Sequence, residues 1–155
     1  MLKRLKEIIF GKPPIEINHE FFGKILFMGG DNPAEDDYWE CDLEVEGCKE
    51  PIGVLITAGI EGPSPDQVAF YKQVTSNLNE LFKRCWPIFE PDFEQWTGKK
   101  FGGQWIDEFE LVGIGIPKDA DTNNNWHVCY FVDSAGHYFT AQFENDEPKY
   151  NEIDG

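Results

Sequence analysis

The stretch SPDQVAFYKQVTSNLNELFKRCW, from Ser64 to Trp86, decides the fold, because its type, its start and its buried face are all legible in local chemistry. Ser64 is a preferred N-cap, Pro65 takes the first helical position, where its missing N–H costs nothing, and Gln67 stands where a capping box needs a glutamine. Val68, Tyr71, Val74, Leu78, Leu81, Phe82 and Cys85 then recur at spacings of three and four, with Asp66, Lys72, Asn77, Asn79, Glu80 and Lys83 between them. The spacing predicts one long amphipathic helix with a single buried face. Pro87 predicts its end, since an interior proline removes a hydrogen bond and clashes with the preceding turn.

On the N-terminal side of this helix, Ile15 to Asn18, Gly23 to Met28, Tyr38 to Val45 and Ile52 to Ile60 read as strands. Tyr38 to Val45 alternates cleanly, with Trp39, Cys41, Leu43 and Val45 on one face and Glu40, Asp42 and Glu44 on the other, as a half-buried strand requires. On the C-terminal side, Pro91, Gly98, Gly102 and Gly103 make residues 87–105 a long connection, packed by its own Phe89, Phe93, Trp96, Phe101 and Trp105. Phe109 to Ile116 is a strand closed by Pro117. Trp126 to Val132 and His137 to Phe143 form a hairpin about Asp133-Ser134-Ala135-Gly136. Opposing Val132 to His137 places Trp126, Val128 and Tyr130 on one face with Phe139, Ala141 and Phe143. Residues 144–155 are polar and acidic and read as a loosely attached tail. The expected architecture is α+β: one domain over residues 1–155, with a twisted, mainly antiparallel sheet of about six or seven strands and the long helix on one face.

Residues 2–10 add a short basic helix, with Leu2, Leu5, Ile8 and Ile9 on a stripe and Lys3, Arg4, Lys6 and Glu7 off it, stopped by Gly11. Such a segment can lie on a membrane surface. The reading preferred here is that it folds back on the acidic body or frays, since nine residues are marginal as an isolated helix.

The chain of 155 residues carries a net charge of −16, yet its 13 Phe, 5 Trp and 5 Tyr supply the apolar mass that disordered acidic chains lack. That charge repels phosphate backbones, which argues against nucleic acid as a partner and favours a cationic one. Cys41, Cys48, Cys85 and Cys129 form no CxxC pair and read as reduced, buried thiols. The apolar run after Lys6 is broken by Glu7 and stops at Phe10, too short for a signal-peptide core, and no run reaches transmembrane length. The expected location is the cytoplasm.

Phe10-Gly11-Lys12 after the basic start, Phe22-Gly23-Lys24-Ile25-Leu26-Phe27-Met28, Trp39 ahead of the alternating strand, Gly62-Pro63-Ser64 with Gln67, and Ile116-Pro117 stand out along the chain. Together these segments resemble a bacterial family of small acidic proteins of the domain-of-unknown-function kind. The resemblance implies a bacterial cytoplasmic α+β protein and brings no catalytic residues with it. In size and charge the chain is also similar to immunity proteins that neutralise secreted toxins.

Across residues 31–50, Asp31, Glu35, Asp36, Asp37, Glu40, Asp42, Glu44, Glu46 and Glu50 are opposed only by Lys49. Hydrated strand carboxylates keep ordinary pKa values, which suits recognition better than acid–base catalysis. Asp36, Asp37, Tyr38, Glu40, Asp42 and Glu44 are therefore candidate partner-binding residues. Phe131 and Tyr138 join them, because with Cys129 they leave the second hairpin face partly apolar. That face is expected to meet a partner, a second copy of the chain, or the aromatic connection 87–105.

A competing site is Asp119, Asp121 and Asn123, which copy the start of a calcium loop, D-x-D-x-N. Asn124 stands where that loop needs glycine, and Tyr130 where it needs a bidentate glutamate. His127 and Cys129 share one strand face and make half a zinc site, while His137 falls on the other face. No nucleophile elbow or phosphate loop is present. The sequence thus points to a non-enzymatic protein-binding module without a cofactor, of immunity or adaptor type, that takes a basic partner. The alternative is a calcium- or other metal-binding domain, or a metal-dependent hydrolase, using the 119–123 loop.

Overall fold

Alternating apolar residues build a sheet whose strands lie side by side in chain order. In the computed structural model, which describes residues 15–29 and 37–155, these are β1 (Glu16–His19), β2 (Gly23–Met28), β3 (Tyr38–Leu43), β4 (Ile52–Thr57), β5 (Phe109–Ile116), β6 (Trp126–Val132), β7 (His137–Glu144) and β8 (Glu147–Asp154). Every neighbouring pair is antiparallel except β4 and β5, which are parallel. A parallel pair needs a crossover, and two helices supply it: α1 (Pro65–Thr75) and α2 (Leu78–Thr97). The fold is α+β, with eight strands in place of the six or seven expected.

The added strand is β8, which replaces the loose tail expected for residues 144–155. Its hairpin turns on Asn145 and Asp146, both left-handed with φ of 51° and 61°, a conformation that asparagine and aspartate adopt most readily among residues with a Cβ. The strand is docked from the helix side as well: Asn151 Nδ2 donates to Asp92 Oδ2 at 2.9 Å, and Arg84 pairs with Asp146 at 2.8 Å.

The single helix expected from Ser64 to Trp86 is two. The capping box forms as read, with Gln67 N donating to Ser64 Oγ and Ser64 N donating to Gln67 Oε1. The helix then stops at Ser76. Thr75 and Ser76 bond back to the carbonyls of Tyr71 and Gln73, and Asn77 turns extended so that its side chain caps the amide of Glu80. The break shifts the buried stripe: α1 buries Gln67, Phe70 and Tyr71, while Val68, Val74 and Leu78 pack only partly.

Residues 87–97 are helix rather than connection. Pro87 and Pro91 both face solvent, where a bent helix exposes its carbonyls to water, and Cys85, Phe89 and Phe93 hold the opposite side against the sheet. Gly98, left-handed at φ 69°, ends the helix. The short helix α3 (Trp105–Glu108) leads into β5.

Both helices cover the same side of the sheet. Phe82 stacks on Trp105 at 5.3 Å and meets Phe109 edge-on at 4.9 Å, while Phe89 lies against Phe109, Tyr130 and Phe139. Trp126, Val128, Tyr130, Phe139, Ala141 and Phe143 line this inner face as the hairpin register predicts, with Val132 opposite His137. A bulge at Val112 lets β5 keep Phe109 and Leu111 inward and then Ile114 and Ile116, although the two pairs differ in parity. The helix expected over residues 2–10 lies outside the described residues. No helix among the described residues is long and apolar enough to cross a membrane.

Candidate functional site

Because side chains alternate along a strand, the inner face fixes what the other face carries. One row runs across all eight strands: Glu16, Leu26, Glu40, Leu55, Gly115, His127, Gln142 and Tyr150. Beside it lie Asp42, Gly53, Gly113, Cys129, Thr140 and Glu152, and then Glu110, Phe131, Tyr138 and Asp154. The helices leave this outer face open. Glu16, Glu40, Asp42, Glu110, Glu152 and Asp154 stand on it against Lys24, so its field is negative.

Of the residues read from the sequence, Tyr38, Glu40 and Asp42 take this face on β3, and Phe131 and Tyr138 take it on β6 and β7. They form two ends of one surface rather than one cluster, since three inter-strand spacings of about 4.8 Å separate β3 from β6. Phe131 and Tyr138 touch, with ring centres 5.1 Å apart. Glu44 lies beyond the end of β3, and Asp37 precedes β3, its carbonyl accepting from Ala58 N at 3.2 Å. Asp36 lies outside the described residues. The aromatic segment 87–105 does not cover this face, because its Phe89, Phe93, Phe101 and Trp105 pack into the inner core.

Between the two ends the surface is concave. Gly53 and Gly113 face each other in the β4–β5 ladder, and a trough of about 530 Å³ opens above them, walled by Lys24, Leu26, Glu40, Asp42, Leu55 and His127. His127 lies on Gly115 so closely that a Cβ there would overlap the ring. Burial pushes the pKa of His127 below its ordinary value, with Glu152 pulling the other way, so the ring is neutral at neutral pH. The Cys129 thiol beside it is pushed up by burial, which makes it a poor nucleophile. The sequence signal for this trough is the run Val112-Gly113-Ile114-Gly115-Ile116, with glycines at outward positions between buried isoleucines.

In the segment that holds the 119–123 loop, two polar side chains, Asp121 and Asn124, bond to the segment's own backbone. Asp121 Oδ1 accepts from Asn123 N at 3.0 Å, and Asn124 Nδ2 donates to Lys118 O at 3.0 Å. Asp119 and Ala120 are both left-handed, with φ of 58° and 56°. No group of three or more His, Cys, Asp or Glu among the described residues is placed to hold a metal ion.

Comparison of the chain with protein-family models, with curated proteins and with solved structures finds no match.

Proposed function

We propose that this chain is a non-enzymatic protein-binding module that takes a basic partner on the open, acidic face of its sheet, as an immunity or adaptor protein would. One observation carries the reading: both helices and the aromatic core lie on one side, and the other side presents hydrated carboxylates around apolar Leu26, Leu55, Phe131 and Tyr138. Apolar contact area within a charged rim is the usual composition of a protein interface, and fixed charge of one sign speeds encounter with a partner of the other. The likeness in size and charge to immunity proteins, noted from the sequence, fits such a role.

The test uses the full chain and a face-reversed variant, Glu110→Lys with Glu152→Lys and Asp154→Lys, as bait in lysate of the source cell. The expected result is a basic protein captured at low salt by the native chain, weakened at higher salt and lost with the variant. Capture that is indifferent to the three reversals, or no specific capture by the native chain, overturns the reading.

A further inference from the structure

We propose that the trough above Gly53 and Gly113 seats one arginine side chain of the partner. The proposal rests on the sheet-face reading and names the chemistry of its central contact. The floor is bare backbone, because neither opposing glycine carries a Cβ, so a planar group can lie against it. Leu26 and Leu55 supply apolar wall for the methylene stem of an incoming side chain.

The rim supplies the charge. Glu40 and Asp42 are two apart on β3, about 7 Å along the strand, and neither makes an ion pair among the described residues. Lys24 also lines the trough, and its ammonium is turned toward Glu16 on β1 at 3.2 Å, which leaves the two carboxylates of β3 in excess over one cation. On the far side His127 is pinned to Gly115 and neutral, so it does not repel a cation and offers a flat ring for stacking. Two carboxylates spaced along the trough match the planar fork of a guanidinium, which donates along two edges; the three donors of an ammonium radiate from one nitrogen and cannot pair bidentately with either carboxylate.

The experiment titrates the ¹⁵N-labelled full chain with N-acetyl-arginine amide and, separately, with N-acetyl-lysine amide, following the amides of Gly53, Gly113 and Gly115. Saturable shifts confined to these residues and their neighbours are expected, with arginine amide binding about tenfold more tightly than lysine amide. The pair Glu40→Gln and Asp42→Asn should abolish them. Gly53→Ala tests shape without charge: its methyl would lie no closer than 3.7 Å to any neighbour, the nearest being the Val112 carbonyl oxygen, so the fold accommodates it while the floor rises. It should weaken arginine binding about tenfold with no change in thermal midpoint. Equal affinity for both probes, shifts spread over all acidic surfaces, or binding unchanged by Gly53→Ala overturns the arginine seat. If a basic partner is still lost on reversing Glu110, Glu152 and Asp154, the seat alone has failed; if those reversals also have no effect, the sheet-face reading has failed with it.

Discussion

Gln67 and Pro117, 50 positions apart, are joined by a hydrogen bond in which Gln67 Nε2 donates to the Pro117 carbonyl at 3.0 Å. The same amide nitrogen donates to Thr57 O at 2.8 Å, and Gln67 Oε1 accepts from Ser64 N, so one side chain of 2% exposure ties the start of α1 to the ends of both parallel strands. In open sheets, the crevice at the carboxyl ends of parallel strands is the common ligand site. Here the glutamine occupies that place, and among the described residues the helices leave the opposite sheet face uncovered.

Gln67→Ala should therefore cost far more than a cap. It strands a buried carbonyl at Pro117 and a part-buried carbonyl and amide at Thr57 and Ser64, a loss of about 3 kcal/mol, whereas Ser64→Ala removes one cap bond at about 1 kcal/mol. Urea midpoints at fixed pH measure both. Equal losses would show that the link to β4 and β5 adds nothing to the capping box.

Gly115→Ala should force the His127 ring off the sheet. Overpacking of this kind costs about 1–3 kcal/mol and exposes the imidazole, so its pKa should rise toward the ordinary value. Proton NMR titration of the His127 ring reads the shift directly. A titration unchanged from the native protein would mean that the ring does not depend on Gly115 for its position.

The same histidine gives a pH dependence whose sign follows from its depressed pKa. In the window between its folded and unfolded values, the unfolded chain binds a proton that the folded chain does not. Its contribution is complete above the ordinary histidine value, declines as the pH drops through that value, and levels off below the folded one, with a slope of at most about 1.4 kcal/mol per pH unit. His127→Asn should flatten this component. Urea unfolding of both proteins from neutral to mildly acidic pH checks it, and parallel curves would refute it.

Thiol reactivity should rank by burial. Desolvation pushes Cys41 and Cys85 up to about 12, so little thiolate exists at pH 8, and Cys85 is also sealed inside the core. Cys48, the least buried of the four, should be alkylated first, Cys41 and Cys129, both partly exposed, more slowly, and Cys85 only on unfolding. Mass mapping after brief iodoacetamide treatment decides it; early modification of Cys85 would contradict the packing.

Arg84→Lys should loosen the β7–β8 hairpin. The guanidinium stacks over Trp126 and Phe143 at 5.3 and 5.1 Å and donates to both the carboxylate and the carbonyl of Asp146. A lysine cannot make both contacts, and at this half-exposed site the loss is about 1 kcal/mol. Faster amide exchange in β8 than in β6 is the expected signature.

Local chemistry determined the elements whose signals are short-ranged. Ser64 and Gln67 fixed the start of the helix. Asp133 to Gly136 fixed the β6–β7 hairpin, and strict alternation assigned the faces of β3, β6 and β7, so the outward placement of Glu40, Asp42, Phe131 and Tyr138 was legible. The break at Asn77 was missed, because the apolar spacing of three and four runs across it and masks the cap that Asn77 makes to the Glu80 amide.

The remaining features were decided by tertiary structure. Pro87 and Pro91 stay in a helix because packing of Phe89 and Phe93 outweighs two lost hydrogen bonds on a solvent-facing side. Residues 147–154 become a strand because β7 offers an open edge and Asp92 and Arg84 secure it, although their own alternation is weak. The trough exists only because strand pairing sets Gly53 beside Gly113 and His127 over Gly115. Contacts between residues 53, 113 and 127 arise from sheet register, which no local spacing encodes, whereas capping and alternation act within a few residues and can be read directly from the chain.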